Sequence, residues 1–194
     1  MRQKAIFLDR DGVLNQAVVK KGKPYPPTSV DTLHMVSDAD VALRTLKQAG
    51  FLLIVATNQP DVARGKTTRE TVEAIHAKLM QCLPIDEIRV CYHDDRDDCA
   101  CRKPLPGLLT QAAEKWQIDL KQSVMVGDRW KDIEAGKRAG CKTAWLDYGY
   151  QEPFLTTAPD FTALSLTEVV NWIKKIFYQQ MWDGPTLAKK GCII

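Results

Sequence analysis

Short apolar runs alternate with helical patterns along most of this chain, and few architectures accommodate that alternation. Each run is uninterrupted by polar residues, which is typical of strands that are covered on both faces of a parallel sheet. Repeated β-α units of this kind predict an α/β fold with a doubly wound, mostly parallel sheet. The predicted strands are Ala5–Leu8, Phe51–Ala56, Ile88–Cys91, Val124–Val126 and Thr143–Leu146.

The segments between these runs carry apolar residues at helical spacing and have recognisable ends. Leu108–Trp116 and Lys131–Ala139 are predicted helices, and Gly50 and Pro84 end two earlier ones. Three pairs with the spacing of a capping box mark the starts of the other helices: Ser37 with Asp40, Thr67 with Glu70, and Ser165 with Glu168.

A chain of 194 residues with 45% apolar and 26% charged residues can bury a full hydrophobic core. We expect one domain over 1–180, with a flap at about 16–36 and a cysteine-rich loop at about 91–103. Residues 181–194, which include Gly184 and Pro185, are predicted to form a mobile tail.

Charge and hydropathy exclude several classes of protein. The formal net charge of +3 argues against a protein built around a nucleic-acid backbone. The longest clean apolar run, Phe51–Ala56, is far shorter than the roughly 20 residues that a bilayer requires. The first run is interrupted at once by Asp9, so it is too short for a signal peptide. We therefore expect a cytoplasmic protein with no membrane and no nucleic-acid partner.

Two carboxylates, Asp9 and Asp11, stand two residues apart where the first predicted strand ends and a glycine turn begins. In an open α/β sheet, ligands bind outside the carboxyl ends of the strands. One carboxylate could attack an electrophile while the other manages protons. The same Asp-x-Asp-Gly pattern also occurs in calcium loops and in ordinary turns, so alone it does not decide between them.

Three further segments place polar groups at strand ends or in the loops that follow them. Taken singly, Thr57 is a common turn residue and Lys103 an ordinary surface charge. Taken together and in this order, the polar groups of the three segments predict one pocket that contains a hydroxyl, an amide, cations and carboxylates. The groups are Thr57 and Asn58, then Arg102 and Lys103, then Asp128 with Asp132 four residues further on.

A cluster of soft ligands lies inside the cysteine-rich loop. Cys91, His93, Cys99 and Cys101 fall within eleven residues, which fits a closed tetrahedral Zn²⁺ site of structural type. In a reducing compartment such spacing favours a metal over disulfides. The alternative is a reduced, metal-free loop. The other two histidines, at 34 and 76, are interpreted as ordinary surface or packed side chains.

Over Ala5 to Leu146 the sequence resembles the haloacid dehalogenase-like phosphatase superfamily, with four motifs in order. The resemblance implies that Asp9 attacks phosphorus, and that Asp11 protonates the leaving group and then activates water. It implies Mg²⁺ as cofactor, held by Asp9, the backbone carbonyl of Asp11, and Asp128. It also implies that Lys103, Thr57 and Asn58 stabilise the phosphoryl oxygens and that Asp132 orients Lys103 or a magnesium-bound water.

The cysteine motif that runs straight into Arg102-Lys103-Pro104 is similar to one branch of that superfamily, which contains heptose-bisphosphate and histidinol-phosphate phosphatases. Thr57-Asn58-Gln59 followed by Val62-Ala63-Arg64-Gly65 resembles the heptose enzymes more closely. Arg102 would then contact the second phosphate of a bisphosphate. Pro60, Tyr92 and Arg129 depart from the usual pattern. The substrate-binding residues that this resemblance implies are Asn58, Gln59, Arg64, Arg102 and Arg129.

The resemblance implies a magnesium-dependent phosphatase that takes a small phosphorylated sugar as its substrate. We expect a monomer, although the sequence does not fix the oligomeric state. Its reaction would remove the C7 phosphate of D-glycero-D-manno-heptose 1,7-bisphosphate or of a similar sugar bisphosphate, through an aspartyl-phosphate intermediate. Two other enzyme activities stay open, histidinol-phosphate phosphatase and nucleic-acid 3′-phosphatase. A zinc-binding interaction module without catalysis is the non-enzymatic alternative.

Overall fold

The computed structural model describes residues 2–151 and 157–182, with side chains described as far as Phe177 in the last helix. Six parallel strands form one sheet in the order β5-β4-β1-β6-β7-β8, so the chain starts in the middle and winds outward in both directions. The doubly wound α/β fold expected from the sequence is confirmed. The strands are β1 (Ala5–Leu8), β4 (Leu52–Asn58), β5 (Glu87–Cys91), β6 (Val124–Gly127), β7 (Lys142–Leu146) and β8 (Phe161–Ala163).

Five α-helices cover the sheet, because alternate strand residues point to opposite faces and each face is apolar. One core contains Ile6, Leu8 and the apolar stripes of α1, α2 and α5, and the other contains Phe7 and α3. Helix α4 packs on the second face, where a side chain at Gly136 would collide with Met125 and Thr143. The helices are α1 (Ala39–Gln48), α2 (Arg69–Cys82), α3 (Gly107–Trp116), α4 (Trp130–Ala139) and α5 (Leu166–Trp182).

The ends of the helices differ in part from those predicted. The first helix begins after Asp38, whose side chain makes no capping bond, so the predicted Ser37 box is wrong. Helix α2 begins after Thr68, whose hydroxyl accepts a hydrogen bond from the Thr71 N–H, one residue later than predicted. In the last helix Ser165 does cap, since its hydroxyl accepts from the Glu168 N–H.

The predicted flap contains a small antiparallel hairpin, β2 (Val18–Lys20) and β3 (Lys23–Tyr25). Lys21 and Gly22 both have positive φ, at 51° and 72°, and a two-residue turn of this kind matches the natural twist of a hairpin. The Gly22 carbonyl accepts a hydrogen bond from the Gln151 N–H, which ties the hairpin to the segment after β7.

Besides the two hairpin strands, two further short elements were not predicted from the sequence. Strand β8 is three residues long and carries little apolar signal, and a 3₁₀ turn at Leu120–Gln122 precedes β6. The proposed tail at 181–194 falls outside the described residues except for the last two residues of α5. Within the described part of the chain, no helix is long and apolar enough to cross a membrane.

Candidate active site

The sheet reverses its winding direction between β1 and β6, and the predicted catalytic side chains lie at that point. In doubly wound folds the loops diverge there and leave a crevice at the carboxyl ends of the strands. Asp9 follows β1 directly, and its N–H donates to the Val126 carbonyl of β6 at 2.9 Å. Asp128 follows β6, so the topology brings two carboxylates from distant parts of the sequence together.

Lys103 forms a buried ion-pair network with two of these carboxylates. Its Nζ lies 2.8 Å from Asp9 Oδ1 and 2.5 Å from Asp132 Oδ1. Burial alone would lower the pKa of this lysine, but Asp132 and Asp9 outweigh it and raise the pKa to about 12. Lys103 is therefore held as a cation between Asp9 and Asp132.

Asp9, Asp128 and Asp132 form a compact group whose ligand oxygens lie within 4.8 Å of one another. Burial and repulsion by the neighbouring aspartates raise the pKa of Asp9 to about 6 and that of Asp128 well above its usual range. Both oxygens of Asp128 are buried and have no donor in hydrogen-bond geometry among the described residues, although Asp128 is near enough to the Tyr150 hydroxyl to raise the pKa of that group. The Asp128 oxygens, placed beside the carboxylate of Asp9, fit a hard divalent cation such as Mg²⁺.

Two glycines make room for this group. Gly12 has a φ of 88°, and a Cβ there would lie 1.8 Å from Asp128 Oδ2. A Cβ at Gly127 would lie 2.1 Å from the Cβ of Asp132. Because the obstacles are short, buried side chains, these positions accept only glycine, and the glycines allow the carboxylates to approach the backbone closely.

Asp11 is held by three donors instead of joining the other carboxylates. Arg10 donates to both of its oxygens, with Nη2 3.0 Å from Oδ2, while Asn15 donates to Oδ1 at 3.0 Å and Gln59 to Oδ2 at 2.9 Å. Burial opposes ionisation, but Arg10, Asn15 and Gln59 outweigh it and lower the pKa of Asp11. The side chain is committed to these donors, so only its backbone carbonyl is available to a metal.

The amides predicted to bind substrate are engaged within the protein. The Asn58 side chain accepts from the Lys103 N–H at 3.1 Å and donates to the Lys103 carbonyl at 2.9 Å, which fixes the lysine backbone. Gln59 is buried and donates to Thr57 Oγ1 at 3.0 Å as well as to Asp11. Both amides line the cavity. Their hydrogen bonds indicate that Asn58 positions the Lys103 backbone and that Gln59 positions Thr57 and Asp11.

A cavity of about 230 Å³ opens over Asp9 and Lys103, and the flap contributes Tyr25 to its wall. Several cations contribute to its lining. Two of them, Arg64 and Arg129, are predicted substrate contacts, whereas Lys131 on α4 was missed because one lysine on a helix carries no signal in the sequence. The cations that line the cavity, besides Lys103, are Lys23, Arg64, Lys66, Arg129 and Lys131.

Arg102 is not among the described residues that line this cavity. Its Nε donates to Asp95 Oδ1 at 2.8 Å and its Nη1 to the His93 carbonyl at 3.3 Å. Asp95 also lies 3.2 Å from Arg64 and 3.6 Å from Lys131. Three cations from three segments thus converge on one exposed carboxylate, an arrangement that could equally hold a phosphate.

The predicted zinc ligands converge on one point. Cys101 Sγ lies 3.3 Å from Cys91 Sγ, 3.5 Å from Cys99 Sγ and 3.4 Å from His93 Nδ1. Ligands at about 2.3 Å from a tetrahedral zinc ion are separated by about 3.8 Å, so this set can hold one. Burial and neighbouring thiols raise the pKa of Cys91, and a metal is what stabilises thiolate in such a place.

The sequence analysis missed two buried polar residues beside the site. Arg10 is fully buried although arginine is rarely so, and its Nη1 lies 3.1 Å from His76 Nε2. His76, interpreted as a packed or surface histidine, is indeed buried on α2, whereas His34 is exposed. From the sequence alone, an arginine between two acidic residues is expected on the surface. Only the fold shows which residues it contacts.

Fold and site together define a hydrolase of one family. A family model described as haloacid dehalogenase-like hydrolase matches residues 27–140, which include Thr57, Lys103 and Asp128. The chain belongs to this family, as its motifs indicate.

Several known proteins that are similar to this chain are named for one activity within that family. D-glycero-β-D-manno-heptose-1,7-bisphosphate 7-phosphatase of Bordetella bronchiseptica is 39% identical over 151 residues, covering 74% of this chain and 79% of the relative. The D-glycero-α-D-manno-heptose-1,7-bisphosphate 7-phosphatase of Photorhabdus laumondii is 34% identical, covering 74% and 81%. The crystal structure of D,D-heptose 1,7-bisphosphate phosphatase from B. bronchiseptica, complexed with magnesium and phosphate, has a TM-score of 0.74 and 32% identity, covering 90% of this chain and 99% of that one.

Proposed function

We propose that this chain is a magnesium-dependent phosphomonoesterase that removes the C7 phosphate of D-glycero-D-manno-heptose 1,7-bisphosphate. The observation that carries the proposal is the buried Asp9 carboxylate, ion-paired to Lys103 and beside the Asp128 oxygens, for which the described residues offer no hydrogen-bond donor. Relatives at 34–39% identity that carry this activity in their names support the same sugar. A cytoplasmic location and a monomeric state remain predictions of the sequence.

The first half of the reaction is assigned to Asp9. Its carboxylate oxygen forms a bond to phosphorus while the bond from phosphorus to the sugar oxygen breaks, which leaves an aspartyl phosphate on Asp9. Lys103, fixed by Asp132 and by its backbone contact with Asn58, offsets the negative charge on the phosphoryl oxygens. The Thr57 hydroxyl, buried at the end of β4, is assigned to the same oxygens.

The second assignment is proton transfer by Asp11. Its carboxyl group donates a proton to the departing sugar oxygen, and the resulting carboxylate then accepts a proton from the water that attacks the aspartyl phosphate. The bond between Asp9 and phosphorus breaks, phosphate leaves and the proton is back on Asp11. The donors around Asp11 stabilise its carboxylate and therefore suit its base role. For the acid role, the negative charge of the bound phosphate would have to raise the pKa that these donors lower.

Magnesium would be held by Asp9, the backbone carbonyl of Asp11, and Asp128, and would neutralise the phosphate beside these carboxylates. Asp128 fits this task because its buried oxygens have no donor among the described residues. Asp132 would keep its ion pair with Lys103, and its Oδ2 would keep accepting a hydrogen bond from the Arg129 N–H at 3.1 Å.

For Cys91, His93, Cys99 and Cys101 we propose a structural Zn²⁺ site. Four protein ligands leave no open position for substrate or water, so the ion would order the loop and take no part in chemistry.

The substrate assignment is tested by magnesium-dependent phosphate release from a panel of compounds. We expect the heptose 1,7-bisphosphates to have the highest kcat/KM, with hexose and pentose bisphosphates below them. Relatives are named for both anomers, so the α and β forms are assayed separately. A preference for histidinol phosphate or for a 3′-phosphorylated oligonucleotide would replace the proposed substrate, and no phosphate release at all would favour the interaction module.

Arg102→Ala is expected to lower kcat/KM for a sugar bisphosphate much more than for the matching monophosphate. If Arg102 holds the second phosphate in place of Asp95, a lost charge-assisted hydrogen bond of about 1.5–3 kcal/mol corresponds to roughly ten- to a hundredfold. Steady-state kinetics on the two substrates measure the difference.

Arg138→Ala is the matched control for that experiment, since Arg138 pairs with Glu134 on the surface of α4 at 2.9 Å. Arg138→Ala should leave kcat/KM unchanged for both the bisphosphate and the monophosphate. Equal losses with both substrates in Arg102→Ala would place Arg102 in general phosphate neutralisation and not in recognition of the bisphosphate.

A further inference from the structure

The fully buried Arg10 links the proposed proton-transfer residue to helix α2. Its Nε and Nη2 atoms form a fork on the Asp11 carboxylate, with distances from 3.0 to 3.3 Å. Its Nη1 lies 3.1 Å from His76 Nε2. A guanidinium fork fixes both position and plane of a carboxylate, so the orientation of Asp11 depends on what fixes Arg10.

The contact with Arg10 determines the proton positions of His76. A guanidinium has only donors, so His76 Nε2 must accept, and the proton of the neutral ring is then on Nδ1. Burial, with Arg10 adding to it, lowers the pKa of His76 to about 4, which keeps the ring neutral at physiological pH. Glu73 Oε2 lies 3.6 Å from Nδ1 and favours the same tautomer.

The network continues from Glu73 to the candidate zinc loop. The Tyr92 hydroxyl donates a hydrogen bond to Glu73 Oε1, and the guanidinium of Arg69 lies 4.8 Å from the centre of the Tyr92 ring. Tyr92 stands between two of the proposed zinc ligands, Cys91 and His93. A continuous series of polar contacts therefore runs from this loop across α2 to Asp11.

We propose that His76 is a positioning residue for proton transfer, which acts by holding Arg10 so that its fork fixes the Asp11 carboxyl group. The inference rests on the proposed phosphatase function and adds a residue 65 positions away from Asp11 to that reaction. In the step concerned, the proton passes from Asp11 to the leaving sugar oxygen as that oxygen separates from phosphorus and the Asp9–phosphorus bond forms. A small displacement of the acid affects this step more than it affects binding.

The property that distinguishes positioning from simple core packing is dependence on the leaving group. A sugar alkoxide is a strong base and needs a proton in order to leave, whereas p-nitrophenolate leaves without one. The constant kcat/KM reports the steps up to departure of the leaving group. Misplacing Asp11 should therefore lower kcat/KM for an alkyl phosphate and affect p-nitrophenyl phosphate little.

The test compares two variants of matched size, His76→Leu and His76→Gln, with alkyl and aryl phosphates as substrates of the magnesium-loaded enzyme. Leucine removes the acceptor for Arg10, whereas the glutamine carbonyl can replace it. Since general acid catalysis contributes about 10²–10⁴-fold, His76→Leu should lower kcat/KM at least about tenfold for the sugar bisphosphate and for glucose 6-phosphate. The loss for p-nitrophenyl phosphate should be within about threefold, and His76→Gln should restore most of the alkyl phosphate activity.

Two outcomes would overturn the inference: equal losses for alkyl and aryl phosphates, or leucine and glutamine variants that behave alike. If His76→Leu does not fold, Glu73→Ala decides the matter, because Glu73 is exposed and its loss frees both Nδ1 and Tyr92. It should show a smaller loss confined to alkyl phosphates, and the absence of such selectivity would count against the network. Glucose 6-phosphate separates this result from the substrate proposal, which is tested by the substrate preference of the wild type and not by the variants.

Discussion

Asp9→Asn is expected to reduce phosphate release to background while leaving the fold intact. The amide is nearly the same size as the carboxylate but cannot form a bond to phosphorus, so no aspartyl phosphate can accumulate. Magnesium-dependent phosphate release measures the loss, and acid quenching with labelled substrate should trap phosphoenzyme in the wild type only. Activity of Asp9→Asn close to that of wild type would exclude Asp9 as the nucleophile.

The same variant should be more stable than the wild type at pH 7 without magnesium. Burial, then repulsion from Asp132, raises the pKa of Asp9 from 3.8 to about 6, so the folded state binds this proton more tightly than the unfolded chain does. Stability that is fully present below pH 3.8 is therefore lost as the pH rises to about 6. Asparagine does not ionise and avoids that loss.

Thermal melting in EDTA tests this expectation across the pH range. The melting temperature of Asp9→Asn should exceed that of the wild type at pH 7, and the difference should shrink as the pH falls through 6 towards 4. Since divalent cations relieve the same repulsion, magnesium should raise the melting temperature of the wild type more than that of the variant. A variant that melts below the wild type at pH 7 would show that the carboxylate at position 9 stabilises the metal-free fold.

The centre of the site could be predicted from the sequence because its residues follow buried strands. Asp9 and Asp128 come directly after β1 and β6, and parallel strands that pair in the middle of the sheet must end side by side. Lys103 is less obvious, since it comes from a loop. Its place in the pocket was predicted from the order of the polar segments and its role from the family resemblance. The contact with the Asn58 side chain that fixes its backbone joins residues 45 positions apart.

The supporting contacts could not be predicted, because they depend on packing between distant segments. Arg10 and His76 look like a surface charge and a helix residue until α2 packs against the β1 end of the sheet. Arg102 was expected at the cavity, and the structure instead pairs it with Asp95 of its own loop. Charged residues carry no periodic signal, so their partners follow only from the three-dimensional arrangement.

The largest structural effect is expected from loss of a proposed zinc ligand. The segment between Cys91 and Cys101 has little apolar surface, and each ordered residue costs about 1–2 kcal/mol in backbone entropy. Binding of structural zinc contributes about 10–16 kcal/mol in small peptides, which is enough to order a loop of this length. Cys99→Ser and Cys101→Ala are therefore expected to lose zinc and loosen the loop.

That loosening should reach Lys103, because Cys101 is followed directly by Arg102 and Lys103. The loop also packs tightly against α3: a Cβ at Gly107 would lie 2.2 Å from the Ala100 carbonyl oxygen. Without the ion, Lys103 would depend on its contacts with Asn58, Asp9 and Asp132 alone. We expect kcat to fall in both cysteine variants, while the far edge of the sheet at β7 and β8 stays folded.

Cys82→Ser provides the control, since Cys82 is an exposed free cysteine at the end of α2 and outside the cluster. Elemental analysis should find about one zinc per chain in the wild type and in Cys82→Ser, and much less in the two ligand variants. Hydrogen exchange should show faster exchange across 91–103 in the ligand variants and unchanged protection in β1, β6 and β7. Because a closed four-ligand site exchanges its ion slowly, mild chelation that removes magnesium should leave this zinc in place. A purified wild-type chain with no zinc, an ordered loop and full activity would show instead that the thiols hold the loop by packing alone.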